Sequence, residues 1–299
     1  MRIDVQEIRT TSKKKIVLIV IVVLLVIFSS IIFGIVAAKK CNKNKIDIIL
    51  EESKTEENIV NQTEEVENVI NTDKQNEDFN KKRIENINGI YKSDKKIAYL
   101  TFDDGPSKSV TPLILDVLKD NNIKATFFVL GRAVKDNPEL VKRAYEEGHY
   151  IANHGYSHVY SSIYKSVDSV IEEYNRTEKE IRKAIGIPEY NSFLFRFPGG
   201  SVGGEYNDVK KKAIKELEKQ NIAYLDWNAL TRDAEGKFTK EELLQNLKST
   251  VKNKKSVVIL SHDASTKILT YEILQDEIDY LKKEGYQFGD MNDLINGNY

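Results

Sequence analysis

Cysteine is almost missing from this 299-residue chain. Cys41 stands alone, so no internal disulfide can form, and a fold placed outside the cell would rest on its core or on a metal. Histidine is nearly as scarce: only His149, His154, His158 and His262 occur, so their positions carry information. Charge of one sign is also lacking. The formal net charge is -1, which leaves no broad basic field for nucleic acid or anionic lipid. Charge is absent altogether from Ile16 to Ala38, a run of apolar and small residues. As a helix it would reach ~34 Å, enough to span a bilayer. Lys13-Lys14-Lys15 precede it and Lys39-Lys40 follow, so orientation by positive charge is weak, tipped by Arg2, Arg9 and the triplet towards a cytoplasmic N-terminus. A cleaved signal peptide ending near Val36-Ala37-Ala38 is the alternative, although the run is longer than a usual signal core. The expectation is a cytoplasmic segment 1–15 and a single-pass transmembrane anchor 16–38, with the rest outside the cell membrane.

From 39 to 94 Glu, Asn, Lys, Thr and Asp dominate, and no aromatic appears before Phe79. Such a stretch buries too little apolar surface to offset its ordering entropy, so it reads as a flexible stalk. Beyond it, 95–299 alternates short apolar runs with longer periodic segments. Ile97–Phe102, Ala125–Val129, Tyr150–Ala152, Phe193–Phe195, Ile222–Trp227, Val257–Leu260 and Tyr286–Phe288 read as strands. Val110–Asp120, Pro138–Glu147, Val167–Ile185, Asp208–Gln220, Lys240–Lys252 and Tyr271–Glu284 read as helices, with Ser166 and Thr239 as N-caps and Pro138 in a first turn. Strict alternation implies parallel strands. About seven units fit an α/β fold, a small distorted (β/α) barrel rather than an open sheet. Either places function at the carboxyl ends of the strands.

The residues that bear chemistry fall at those ends. Asp103 and Asp104 close the first strand, before Gly105-Pro106. Adjacent acids repel, and chains tolerate that mainly where a cation or a held proton intervenes, although two solvated turn residues are the plainer reading. His154 and His158 follow the third strand at H-x-x-x-H spacing. On one helical turn they would face the same way and share a cation. His262 ends another strand, and Arg196 precedes Phe197-Pro198-Gly199-Gly200, where it can reach a carboxylate and where glycine N–H groups are open. Trp227 either walls a sugar site or belongs to the core. One acid with His154 and His158 makes a three-ligand site. The other acid is then free as base and His262 as acid, a kit for metal-assisted hydrolysis. Which of the two acids is which stays open on these grounds.

Thr101-Phe102-Asp103-Asp104-Gly105-Pro106, Gly148–His158, Arg196-Phe197-Pro198-Gly199 and Leu260-Ser261-His262 occur in the order of the polysaccharide deacetylases, the NodB homology domain of carbohydrate esterase family 4. The chain resembles that family from Lys95 to Asn298, and its anchor and stalk look like those of peptidoglycan N-acetylglucosamine deacetylases. The resemblance implies Asp103 as general base, Asp104, His154 and His158 as ligands of one divalent metal, and Arg196 as the orienter of the base. It implies Gly199 at the oxyanion, with Trp227 and Leu260 among the substrate residues, and His262 as general acid oriented by Asp233, with Asp226 the fallback. Zinc suits these ligands, and cobalt, manganese or nickel fit the same set. Three departures stand out: Gly155 where many members carry Ser or Thr, Gly199 where many carry an aromatic, and Ala234 after the orienting aspartate. The implied partner is a cell-wall glycan, with no nucleic acid, and oligomeric state is left open. The implied reaction removes N-acetyl groups from peptidoglycan glucosamine, releasing acetate and giving lysozyme resistance. The alternatives are another N-acetylated polymer, an inactive wall-binding barrel or a two-His-one-carboxylate iron oxygenase. His149 is given a structural role.

Overall fold

The computed structural model describes Ile21 and residues 74–297. The expected anchor at 16–38 and most of the stalk lie outside the described residues. Among the described residues no helix is long and apolar enough to cross a membrane.

Gln75–Tyr299 forms a compact unit. It opens with helix α1 (74–89) and a 3₁₀ turn at Ile90–Lys92. Then follow β1 (Ile97–Asp103), α2 (Thr111–Asp120), β2 (Thr126–Val129), α3 (Gly131–Asp136), α4 (Pro138–Glu146) and β3 (Tyr150–Asn153). Next come α5 (Tyr160–Ile163), α6 (Val167–Ile185), β4 (Leu194–Phe195), α7 (Asn207–Lys219), β5 (Ala223–Tyr224) and β6 (Ala229–Leu230). The unit ends with α8 (Lys240–Val251), β7 (Ser256–His262), α9 (Ile268–Lys283), β8 (Gln287–Phe288) and α10 (Met291–Asn296). Ser166 and Thr239 cap α6 and α8 as expected, Thr239 in a full capping box with Glu242, and Pro138 stands in the first turn of α4.

All seven expected strands form. An eighth, β6, is added because the apolar stretch after Tyr224 breaks at Trp227-Asn228 and pairs again at Ala229. The sheet runs β5-β4-β3-β2-β1-β7-β6, with β8 on the lower part of β1, and every ladder is parallel. β5 and β6 sit at opposite edges, yet only Leu225–Asn228 separates them. At ~3.5 Å per residue that link spans no more than about 18 Å, so the sheet must curl into a barrel-like trough.

Period-two alternation decides which side chains enter the trough. Ala98, Leu100, Phe102, Phe127, Val129, Val257 and Ile259 pack outward against the helices in one core cluster. Ile97, Tyr99, Phe128, Tyr150, Leu194, Leu225 and Val258 fill the lower interior. Ile87, Ile90, Met291, Leu294 and Ile295 join that second cluster and plug the base. Composition assigns 39–94 to a stalk, but its last part is folded. Ile87 and Ile90 are buried, Arg83 Nε donates to Ile295 O at 3.2 Å, and Ser256 Oγ donates to Ile90 O. A lone helix of this polarity has no core of its own, and here it borrows one.

Candidate active site

Continuing the same alternation upward places Thr101, Asp103, Leu260 and His262 on the inner face above that plug. In the β1–β7 register Thr101 pairs with Leu260 and Asp103 with His262. An acid and a histidine from sequence positions far apart therefore lie side by side at the upper rim.

Arg196 follows β4 and is fully buried. Its Nη1 donates to Asp103 Oδ1 at 2.8 Å and to Thr101 Oγ1 at 2.7 Å, its Nε to Leu225 O at 2.9 Å, and its Nη2 to Asp226 O at 3.2 Å. Four of the five guanidinium N–H groups are thus engaged, and the group also lies over the Phe128 ring. Burial pushes the Asp103 carboxyl above its usual range, and the Arg196 charge and hydrogen bond oppose that push. The result is an acid held in one orientation and more basic than a solvated one.

Asp104 leaves the strand with φ 74° and turns its carboxylate towards the histidines. Asp104 Oδ1 stands 3.4 Å from His158 Nε2 and 3.7 Å from His154 Nε2. The three residues offer ligand atoms within 4.8 Å of one another. His154 Nδ1 bonds to Arg196 O at 2.8 Å, which assigns the proton to Nδ1 and leaves the Nε2 lone pair facing Asp104. Asp104 Oδ1 is buried and has no hydrogen-bond partner among the described residues. An orphaned carboxylate oxygen costs several kcal/mol unless a cation meets it, so these donors fit a divalent metal. One expectation needs correcting. The two histidines do not lie on a helical turn: Gly155 at φ 80° and His158 at φ 56° fold the segment into a tight loop, and the loop brings the rings together.

His262 Nδ1 bonds to Asp233 Oδ1 at 2.8 Å, and Asp233 Oδ2 accepts from His262 N at 2.8 Å and Thr270 Oγ1 at 2.7 Å. Burial alone pushes the imidazole down, but the Asp233 hydrogen bond and charge, helped by the Asp103 and Asp104 charges, lift His262 to about 9. At neutral pH the ring carries two protons, with Nε2–H aimed at the pocket. Asp226, the fallback orienter, is engaged elsewhere, accepting from Ser201 N at 3.0 Å and from Ser201 Oγ. His149 is structural, as expected: its Nδ1 accepts from Ala125 N at 3.1 Å and burial lowers it to about 4.

A pocket gathers Asp103, Asp104, His154, His158, Gly199, Trp227, Leu260, Asp233 and His262 on one wall or another. Tyr160 and Arg232, which the sequence did not single out, line it too. Gly199 has φ 75°, and a Cβ there would lie 2.5 Å from Tyr160 Oη, so the tyrosine from α5 fills the space that a side chain at 199 would take. On the other side Gly200 approaches Trp227 but is buried, its N–H donating to Phe197 O at 2.8 Å, so the bare backbone of the pair is that of Gly199. Asp263 is a further residue without a reading in the sequence. It takes Thr111 Oγ1 at 2.5 Å and crowds Gly105 so closely that no side chain fits, which fixes the turn after the two acids.

Fold and site define a class: a parallel (β/α) protein with an ion-paired acid, an Asp–His–His cluster and an Asp-bound histidine at the strand ends. The polysaccharide deacetylase family matches residues 91–222. The peptidoglycan-N-acetylmuramic acid deacetylase PdaA of Bacillus subtilis is 31% identical over 67% of this chain and 72% of its own length. The peptidoglycan-N-acetylglucosamine deacetylase PgdA of Listeria monocytogenes is 35% identical over 68% of this chain, but the match spans only 39% of PgdA. A Streptococcus mutans CE4 esterase superposes with a TM-score of 0.62 at 31% identity, covering 69% of this chain and 90% of that one. The chain belongs to the polysaccharide deacetylase family.

Proposed function

We propose that this protein hydrolyses the N-acetyl group of N-acetylglucosamine residues in peptidoglycan, with one divalent cation, zinc by preference, held by Asp104, His154 and His158. One observation carries the reading: the buried, partnerless Asp104 Oδ1 faces two imidazoles beside an acid already neutralised by Arg196. When bound, such a cation polarises an amide oxygen and acidifies water.

The chain's own residues do the rest. Asp103, pinned by Arg196, takes the proton of the attacking water. The Gly199 N–H, bare at the pocket edge, donates to the oxygen that gains charge as the carbonyl carbon becomes tetrahedral. His262 gives its Nε2 proton to the departing sugar amine, and Asp233 holds the ring for that transfer. Acetate leaves, and the glycan gains a cationic amine. That charge is our explanation for a role in lysozyme resistance, to be tested by lysozyme digestion of treated and untreated wall.

The test is acetate release from purified peptidoglycan by the full chain, with chelator and then with added zinc. Loss with chelator and recovery with zinc are expected; no release under any condition sinks the reading. Mass analysis of the digest identifies the sugar. The Listeria relative supports glucosamine, and the Bacillus relative makes muramic acid the outcome that would correct it. We place the domain outside the cell behind the 16–38 anchor, on the strength of that apolar run. Release of the full chain from membranes by carbonate washing would overturn the placement.

Gly199→Ala is a sharper probe of the oxyanion position. The new methyl collides with Tyr160 and strains a φ of 75°. A fall in kcat of roughly 10- to 100-fold is expected, with bound zinc unchanged. Gly199→Ala in a Tyr160→Phe background, which removes the colliding oxygen, should recover part of it.

A further inference from the structure

Three backbone N–H groups lie between His154 and His158, and side chains take all three. Asn153 Oδ1 accepts from Gly155 N at 2.9 Å. Glu173 Oε2 accepts from Tyr156 N and from Ser157 N, each at 2.7 Å. Asn153 is itself fixed, its Nδ2 donating to Glu178 Oε1 at 2.9 Å. Glu173 and Glu178 both project from α6 and both are buried. The loop carbonyls are engaged as well, Gly155 O by Gly131 N at 3.0 Å and Tyr156 O by Arg132 N at 3.2 Å.

This support answers a particular weakness. His154 is still held by the end of the β2–β3 ladder, its N–H donating to Val129 O at 3.0 Å, but residues 155–158 adopt neither strand nor helix and have no regular ladder to hold them. Gly155 contributes no side chain, and it cannot acquire one cheaply: a Cβ would meet Ile163 Cδ1 at 3.0 Å, at a φ that favours glycine. Bracing must come from outside the loop. A buried carboxylate accepting two N–H groups is a charge-assisted, geometrically strict clamp.

We propose that Glu173 is a positioning residue for the cation ligands, fixing His158 against His154 and Asp104, with Glu178 acting through Asn153 as a second arm. The inference rests on the metal reading of Asp104, His154 and His158. It assigns to α6 the hold on the loop's own N–H groups.

The test uses the full chain and measures zinc affinity by competition with a chromophoric chelator, beside thermal melts of the metal-free protein. Glu173→Ala is expected to weaken zinc binding by about 10- to 100-fold. Glu173→Gln keeps an acceptor and loses the charge, so it should fall between that variant and the wild type. Glu172→Gln, an exposed neighbour on the same helix, should bind as the wild type does. Glu173→Gln decides the matter if the alanine variant does not fold. Variants that melt normally without metal and bind zinc within about twofold of the wild type overturn the proposal. A wild type that binds no zinc overturns the metal reading itself, a separate and recognisable failure.

Discussion

Asp103→Asn is expected to release acetate at least about 100-fold more slowly than the wild type, while still binding zinc. The substitution is nearly isosteric, and the Asn oxygen can still accept from Arg196 Nη1, so the geometry at the end of β1 is kept. What goes is the basicity. An amide cannot take the proton of the attacking water, and no other acid of the pocket is free for the task. Asp104 faces the two histidines, Asp233 is committed to His262, and Glu235 is ion-paired with Arg232 at 2.7 Å. The measurement is acetate release under saturating zinc, with metal content determined on the same sample. Activity within about fivefold of the wild type would assign the base elsewhere. Loss of zinc together with activity would make Asp103 a ligand instead.

Arg196→Met should have the largest effect on stability. The side chain is fully buried, and four acceptors depend on it: Thr101 Oγ1, Asp103 Oδ1, Leu225 O and Asp226 O. Methionine fills much of the volume and satisfies none of them. Removing one partner of a buried ion pair costs about 3–5 kcal/mol, because the remaining charge is left uncompensated. Urea denaturation should show a midpoint lowered accordingly, with the slope unchanged. The double variant with Asp103→Asn should cost less than the two single changes together, since both charges leave at once. Strict additivity would mean that the pair does not act as a pair.

Much of this was legible in the chain, and the rest was hidden for identifiable reasons. Strand runs such as Ile97–Asp103 and Ser256–His262 are continuous and apolar because both faces of the sheet are covered, so they stand out. The Asp–Asp and His–His groups stand out because they interrupt such runs or end them. The choice of Asp233 over Asp226 could not be read locally, because it depends on where a loop folds back on β7. The helical reading of H-x-x-x-H failed on two positive φ values that spacing does not encode. Tyr160 was invisible because its role comes from Gly199, which lies distant in sequence. Glu173 and Glu178 did leave a signal. The buried face of α6 runs Val170, Glu173, Tyr174, Thr177, Glu178, Ile181, so two acids sit within an apolar stripe at helical spacing. A carboxylate on the inward face of a helix must have donors waiting for it. The folded start of the domain was missed because α1 is polar on most sides and only Ile84, Ile87 and, in the turn after it, Ile90 bring apolar side chains to the core.

The link Leu225–Asn228 draws two distant sheet edges together, and two of its carbonyls, those of Leu225 and Asp226, also grip Arg196. The link that curls the trough and the counter-charge of Asp103 are thus one mechanical part. If that link gave way, Arg196 would slacken and Asp103 would be freed to pick up a proton from solvent, so the proposed hydrolysis would stop while most of the domain was still folded. Under the role proposed for Asp103, the link works as an interlock, holding the curl of the trough and the charge of the base together.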